Sequence, residues 1–151
     1  MPEITLPATG RCQCGALTFE ITAPPFATSA CHCRDCQRMT GSAFSLTVMT
    51  PAEGFRVTGG EAVRGGLGTG HRHMHCAKCL SWVFTQPQGV DFLVNVRTPM
   101  LDAPPTEVPF METKLSDAMP FARLGAPHGF DDFPTGDDIP GLIEDYAKTR
   151  N

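Results

Sequence analysis

Cys31-His32-Cys33-Arg34-Asp35-Cys36-Gln37-Arg38-Met39-Thr40-Gly41-Ser42-Ala43-Phe44-Ser45-Leu46-Thr47-Val48 carries three thiols, a short helix and a strand in one run of chain. Its cysteines form a CxC fused to a CxxC. Alternate side chains of an extended backbone point to one face, so a CxC presents both sulfurs together. A CxxC does the same across a tight turn. Arg34 to Thr40 predicts a short helix stopped at Gly41, which suits the left-handed position after a helix C-terminus. Beyond it, Phe44, Leu46 and Val48 alternate with Ser45 and Thr47, the period of a half-buried strand.

Working outward, the other four of the seven cysteines fall into Cys12-Gln13-Cys14 and Cys76-Ala77-Lys78-Cys79. Such spacings let two thiolates converge on one ion at about 2.3 Å from each sulfur. Two pairs this far apart in sequence complete a four-thiolate shell, whereas residues 31–36 supply three ligands and no obvious fourth. A closed shell of four is structural; three ligands with an open position describe a site that does chemistry. All-sulfur sites suit zinc or iron–sulfur, and no run here has a ferredoxin spacing, so two Zn2+ per chain are expected. A disulfide framework fits poorly, because the count is odd and a CxC ring is strained. A redox CxxC belongs near a βαβ pattern, which is absent. Inert buried cysteines do not explain three tight groups.

The chain of 151 residues is 41% hydrophobic, enough for one domain with a sizeable core. No stretch approaches a transmembrane length. Residues 1–12 contain no apolar run of a secretory signal, so a cytoplasmic location is expected. The net charge of −4 is unevenly placed: residues 1–98 are slightly basic and residues 99–151 strongly acidic. Arg34, Arg38, Arg72 and Lys78 lie beside the cysteine clusters, where they can offset thiolate charge or stand as ordinary solvated side chains. There is no Lys/Arg run, so a nucleic-acid partner is not expected.

The remaining pattern reads as β. Leu17, Phe19 and Ile21 alternate with Thr18 and Glu20. Phe55 to Thr58 is a short strand closed by Gly59-Gly60, and Arg72 to His75 leads into the last cysteine pair. Trp82 to Thr85 and Val90 to Val96 are two more strands, joined through Pro87 and Gly89. Besides the Arg34–Thr40 turn, only about Gly141 to Lys148 suggests a helix, with Pro140 near its first turn. Residues 1–98 thus form a two-zinc core. Residues 99–151, with eight prolines, form an extended arm expected to pack on the same single domain through Phe110, Met111, Phe121, Phe130 and Phe133.

Over roughly residues 10–98 the chain resembles the glutathione-dependent formaldehyde-activating enzyme family, whose relatives include centromere protein V. The carrying residues are Gly10-Arg11-Cys12-Gln13-Cys14-Gly15-Ala16, the run Cys31 to Phe44, Phe55-Arg56-Val57-Thr58-Gly59-Gly60 and the Cys76/Cys79 pair. The resemblance implies a mainly β fold, the β-tent of antiparallel sheets with few short helices. It also implies two zinc ions and carbon–sulfur lyase activity. Cys12, Cys14, Cys76 and Cys79 are then ligands of a structural zinc, and Cys31, Cys33 and Cys36 hold the catalytic zinc, the same partition as the spacing suggests. Glutathione is the implied thiol and formaldehyde the aldehyde.

Two positions depart from the family pattern: His75 replaces an aromatic, and Leu80 replaces a glycine that supplies a left-handed turn cheaply. His71, His73 and His75 share a face of one presumed strand, either as a ligand for the three-thiolate site or as neighbours that only hydrogen-bond. His32 is expected to point away from the metal and pack or bond a carbonyl, and Asp35 either caps the short helix or serves as a base. The glycine-dense Gly65–Gly70 lacks the residues of a phosphate loop and reads as a flexible loop that can border a substrate entrance. A thiol entering the open position is deprotonated at neutral pH and can add to a small aldehyde. The alternative from another class is a non-catalytic two-zinc interaction module. A protein side chain in the fourth position favours the module; a pocket beside the thiols favours the enzyme.

Overall fold

The computed structural model describes residues 4–149; residues 1–3 and 150–151, the ends of the expected core and arm, lie outside the described residues. The chain is mainly β, with two sheets and two α-helices among the described residues. The smaller sheet joins β1 (Ala8–Arg11), β2 (Thr18–Ile21) and β5 (Phe55–Gly59). The larger contains β3 (Ala27–Cys31), β4 (Ser45–Pro51), β6 (Ala62–Gly65), β7 (Arg72–Cys76), β8 (Trp82–Gln86), β9 (Leu93–Arg97), β10 (Met111–Thr113) and β11 (His128–Gly129). Its spatial order is β11-β10-β3-β4-β9-β8-β7-β6. Pairing is antiparallel except at β10, which runs parallel to both β3 and β11.

Side chains alternate across a strand, and that alternation gives the large sheet two different faces. One face sends Val48, Phe84, Val94 and Val96 against Phe19 and Ile21 of the small sheet and Leu17 just before it. Phe19, Phe55 and Phe84 stack in series there, with ring centroids 5.6 and 4.8 Å apart. Burying each such side chain contributes about 1.5–3 kcal/mol before ordering costs. The opposite face is richer in polar side chains and forms the floor of the cavity described below.

The acidic C-terminal segment contributes to the larger sheet. Its strand β10 extends the sheet beyond β3, and α2 (Ile139–Thr149) packs beside it. Ala27, Phe110, Met111, Leu142 and Tyr146 form a second buried cluster, with Phe130 partly buried against it. Of the five expected anchors, Phe121 and Phe133 are not buried, being 86% and 53% exposed. Leu142 and Tyr146, four apart on α2, do that work instead, because residues at i and i+4 share a helix face.

Candidate metal centres and an adjoining cavity

The two cysteine groups form as separate clusters. Cys12, Cys14, Cys76 and Cys79 place their four sulfurs within 4.8 Å of one another, and so do Cys31, Cys33 and Cys36. Either cluster can hold a metal ion. Neither includes a histidine, aspartate or glutamate among the described residues.

The four-cysteine cluster joins two turns. After β1, Gly15 N donates to Cys12 O at 3.1 Å, and Leu17 N donates to Cys12 Sγ at 3.2 Å. After β7, the N–H groups of Lys78 and Cys79 both donate to Cys76 Sγ at 3.4 Å. Backbone donors aimed at sulfur favour the thiolate form. Hydrogen bonding to Ser81, with Oγ 3.2 Å from Cys79 Sγ, lowers that thiol to about 5. Leu80 closes the second turn at φ 62°, in the left-handed region where glycine is the usual residue. The turn forms nonetheless, its Leu80 N donating to Cys76 O at 2.9 Å.

The three-cysteine cluster sits where β3 runs into α1 (Arg34–Thr40). Cys33, not Asp35, is the N-cap: its sulfur accepts the Cys36 N–H at 3.3 Å. Asp35 lies in the exposed first turn, and Gly41 ends the helix at φ 64° as the sequence predicts. Ser45 Oγ donates to Cys36 Sγ at 3.1 Å. Hydrogen bonds from Cys33 and Cys36 hold the Cys31 thiol far below its ordinary range, while the same neighbour pushes Cys33 and Cys36 up. Three thiolates this close ionise together only beside a cation.

Behind the thiols lies a polar clamp that the cysteine pattern does not reveal. His32 is fully buried, with Nε2 3.0 Å from Glu112 Oε1 and its ring against Phe44. It therefore points away from the cluster as expected, but it bonds a carboxylate rather than a carbonyl. Glu112 also accepts N–H bonds from Leu124 at 2.7 Å and Ala126 at 3.2 Å. Burial opposes its charge, yet those N–H groups and His32 keep the carboxyl below the usual range. Gln37, buried in α1, donates to His32 O and Asp117 O and accepts from Arg34. No short-range motif marks Glu112, since its partner His32 lies 80 residues away, and the Gln37 bond to Asp117 spans the same distance.

A cavity of about 800 Å³ opens over the three-cysteine cluster, lined by Cys31, Cys33, Cys36, Asp35, Ser45 and residues of β7 to β9. Thr69, in the glycine-dense loop, reaches its wall. His71 and His73 also line it; His75 does not. His73 is buried, and burial together with the charges of His71 and Arg97 lowers its ring to about 4. Arg97 is 6% exposed and lies 4.1 Å over the Trp82 ring. Burial lowers it to about 10, against the pull of the Cys36, Cys31 and Cys33 charges. No helix among the described residues is long and apolar enough to cross a membrane.

Comparison with known proteins bears on the fold and the family. A curated protein of Halomonas elongata, named "Putative glutathione-dependent formaldehyde-activating enzyme", is 29% identical over 115 residues, covering 68% of this chain and 73% of that one. The crystal structure of a Rhodobacter sphaeroides protein shares the fold with a TM-score of 0.50 at 23% identity, covering 63% of this chain and 88% of that chain. The family match extends over residues 7–116, which takes in all seven cysteines together with Arg97 and Glu112. The chain belongs to the glutathione-dependent formaldehyde-activating enzyme family.

Proposed function

We propose that this protein is a zinc-dependent carbon–sulfur lyase that makes or breaks the bond between a thiol, glutathione in the leading case, and formaldehyde. The observation that carries the reading is the three-sulfur cluster opening into a cavity of about 800 Å³ with no fourth protein ligand among the described residues. An interaction module that used this ion only for structure has no need of that cavity.

The donor sets fit zinc. A tetrahedral zinc with sulfur at about 2.3 Å sets neighbouring sulfurs about 3.8 Å apart. Cys12 to Cys14 measures 3.6 Å and Cys14 to Cys76 measures 3.8 Å. We assign Cys12, Cys14, Cys76 and Cys79 to a structural zinc, and Cys31, Cys33 and Cys36 to the catalytic one. Zinc at the open site supplies a Lewis acid that favours the thiolate of an incoming thiol.

The chain's own groups do the rest. The Ser45 hydroxyl and the Cys36 N–H draw charge from the ligand sulfurs, which leaves the incoming thiolate the better nucleophile. The cavity walls hold thiol and aldehyde together, so an encounter of two small molecules becomes a reaction within one site. The sulfur lone pair forms the new carbon–sulfur bond, the carbonyl π pair moves to oxygen, and the proton lost by the thiol ends on that oxygen. Asp35, released from capping and placed on the cavity wall, is the carboxylate we assign to carry it. Breakdown is the same path reversed. In this reading residues 99–151 belong to the catalytic unit, since β10 and Glu112 brace the strand and helix that bear the ligands.

The test is Cys33→Ser. It leaves two thiolates at the open site and spares the four-cysteine site, so folded protein with about one metal fewer per chain is expected. Turnover of S-hydroxymethylglutathione disappears with it, as does any thiol-dependent change in the cobalt spectrum. A cobalt-loaded wild type that ignores glutathione and other small thiols refutes the enzyme reading.

A further inference from the structure

Four buried side-chain polar atoms lack a partner among the described residues, and three of them belong to the cavity lining: His73 Nε2, Asn95 Oδ1 and Arg97 Nε. Strand register explains their grouping. Asn95 pairs with Thr85, and Thr85 with His73, across β9, β8 and β7. Arg97 is two residues along from Asn95, so both side chains emerge on the cavity face.

Each of these groups can present a donor. Trp82 Nε1 donates to Thr85 Oγ1 at 2.9 Å, and Thr85 Oγ1 lies 2.8 Å from His73 Nδ1. Thr85 accepts from Trp82 and has its own proton to give Nδ1, the pairing that puts the hydrogen of the neutral His73 ring on Nε2. The Asn95 amide presents N–H when turned over. Arg97 takes part in none of the ion pairs among the described residues. The one hydrogen bond of its side chain there is a 3.5 Å contact from Nη2 to Asn95 O. An unpaired buried cation is costly. Thiolates across the cavity offset part of its charge, but they leave the unmet hydrogen-bonding atoms of His73, Asn95 and Arg97 unexplained.

Resting on the lyase reading, we propose that Arg97, Asn95 and His73 form an anion subsite that binds a carboxylate of the thiol substrate and so selects acidic thiols over neutral ones. The spacing suits this. Cys31 pairs with Ser45, and Thr47 with Arg97, across β3, β4 and β9. Two strand spacings and one two-residue step separate Cys31 from Arg97, about 12 Å between Cα atoms. An arginine side chain and a short mercapto acid together span that gap.

Calorimetric titration of the zinc-loaded protein with mercaptopropionate and with its methyl ester tests the proposal without any variant. The acid should bind about tenfold or more tightly than the ester, as a charge-assisted contact requires. In Arg97→Gln the acid should lose about that factor while the ester stays within about twofold. Equal binding of acid and ester by wild type, or equal losses in the variant, overturns the subsite. Thermal shift with hexanoate, which has no thiol, separates this proposal from the lyase reading. Stabilisation of wild type but not of Arg97→Gln, with mercaptopropionate bound no more tightly than hexanoate and its ester not bound, keeps the subsite and sinks the lyase. If neither hexanoate nor the acid acts through Arg97, the subsite is wrong whatever the enzyme does.

Discussion

Replacing Glu112 by glutamine should loosen the C-terminal segment from the three-cysteine cluster, and the size of the effect follows from its contacts. Oε1 serves His32 and Leu124 N, while Oε2 accepts Ala126 N at 3.2 Å. Glutamine keeps one acceptor and turns the other into N–H2. Either way one N–H faces another donor, with loss of a charge-assisted bond worth about 1.5–3 kcal/mol. For a chain of this length each kcal/mol lowers Tm by about 2–4 °C, so Glu112→Gln should melt about 3–12 °C below wild type. The pH dependence has a definite sign. Because the folded carboxyl is held below its unfolded value, its contribution is fully present above about pH 4.3, the unfolded pKa. It is lost as pH falls through the lower folded value. The stability difference between wild type and Glu112→Gln should therefore shrink in acid. Denaturant melts of metal-loaded protein at neutral and acid pH measure it. A variant as stable as wild type at neutral pH, or a gap that widens in acid, refutes the assignment of Glu112 as the clamp.

Cys76→Ser should yield little soluble protein, because structural zinc contributes on the order of 10 kcal/mol to small domains; a wild-type Tm with full metal content would contradict the four-cysteine assignment. Leu80→Gly should stabilise slightly, since left-handed backbone costs a side-chain-bearing residue about 1–2 kcal/mol and the added freedom of glycine returns about half of that. Leu80→Ala keeps the strained φ and should gain nothing, so an alanine variant that matches the glycine one in thermal melts would remove the strain argument. Asp35→Asn should lower kcat for S-hydroxymethylglutathione formation about a hundredfold, the low end of general acid–base effects, with metal content unchanged; an unaltered rate takes the proton from Asp35.

Much of the candidate site was legible because the convergence of thiols is encoded locally. A CxC and a CxxC constrain their sulfurs over two or three residues, and both clusters assembled as their spacing implied. Helix Arg34–Thr40 with its stop at Gly41 and the alternating strands at Thr18–Ile21 and Ser45–Pro51 were readable for the same reason. Local sequence did not reveal Ala27–Cys31 as a strand or Met111–Thr113 as its parallel partner, since a three-residue strand has no period to detect. Helix capping by a cysteine sulfur was likewise outside the usual preference for Asp or Ser. Glu112, Asn95 and Arg97 are ordinary residues in the chain and acquire meaning only from register. Strand pairing sets Arg97 beside Thr47 and His73 beside Thr85, while parallel pairing carries Glu112 to His32 across 80 residues. Thus the seven cysteines and the β class were determined by sequence alone, because their physics acts over a few residues. The clamp, the cavity and the cation on its floor were decided by tertiary structure, because burial and hydrogen bonding depend on which distant strands meet.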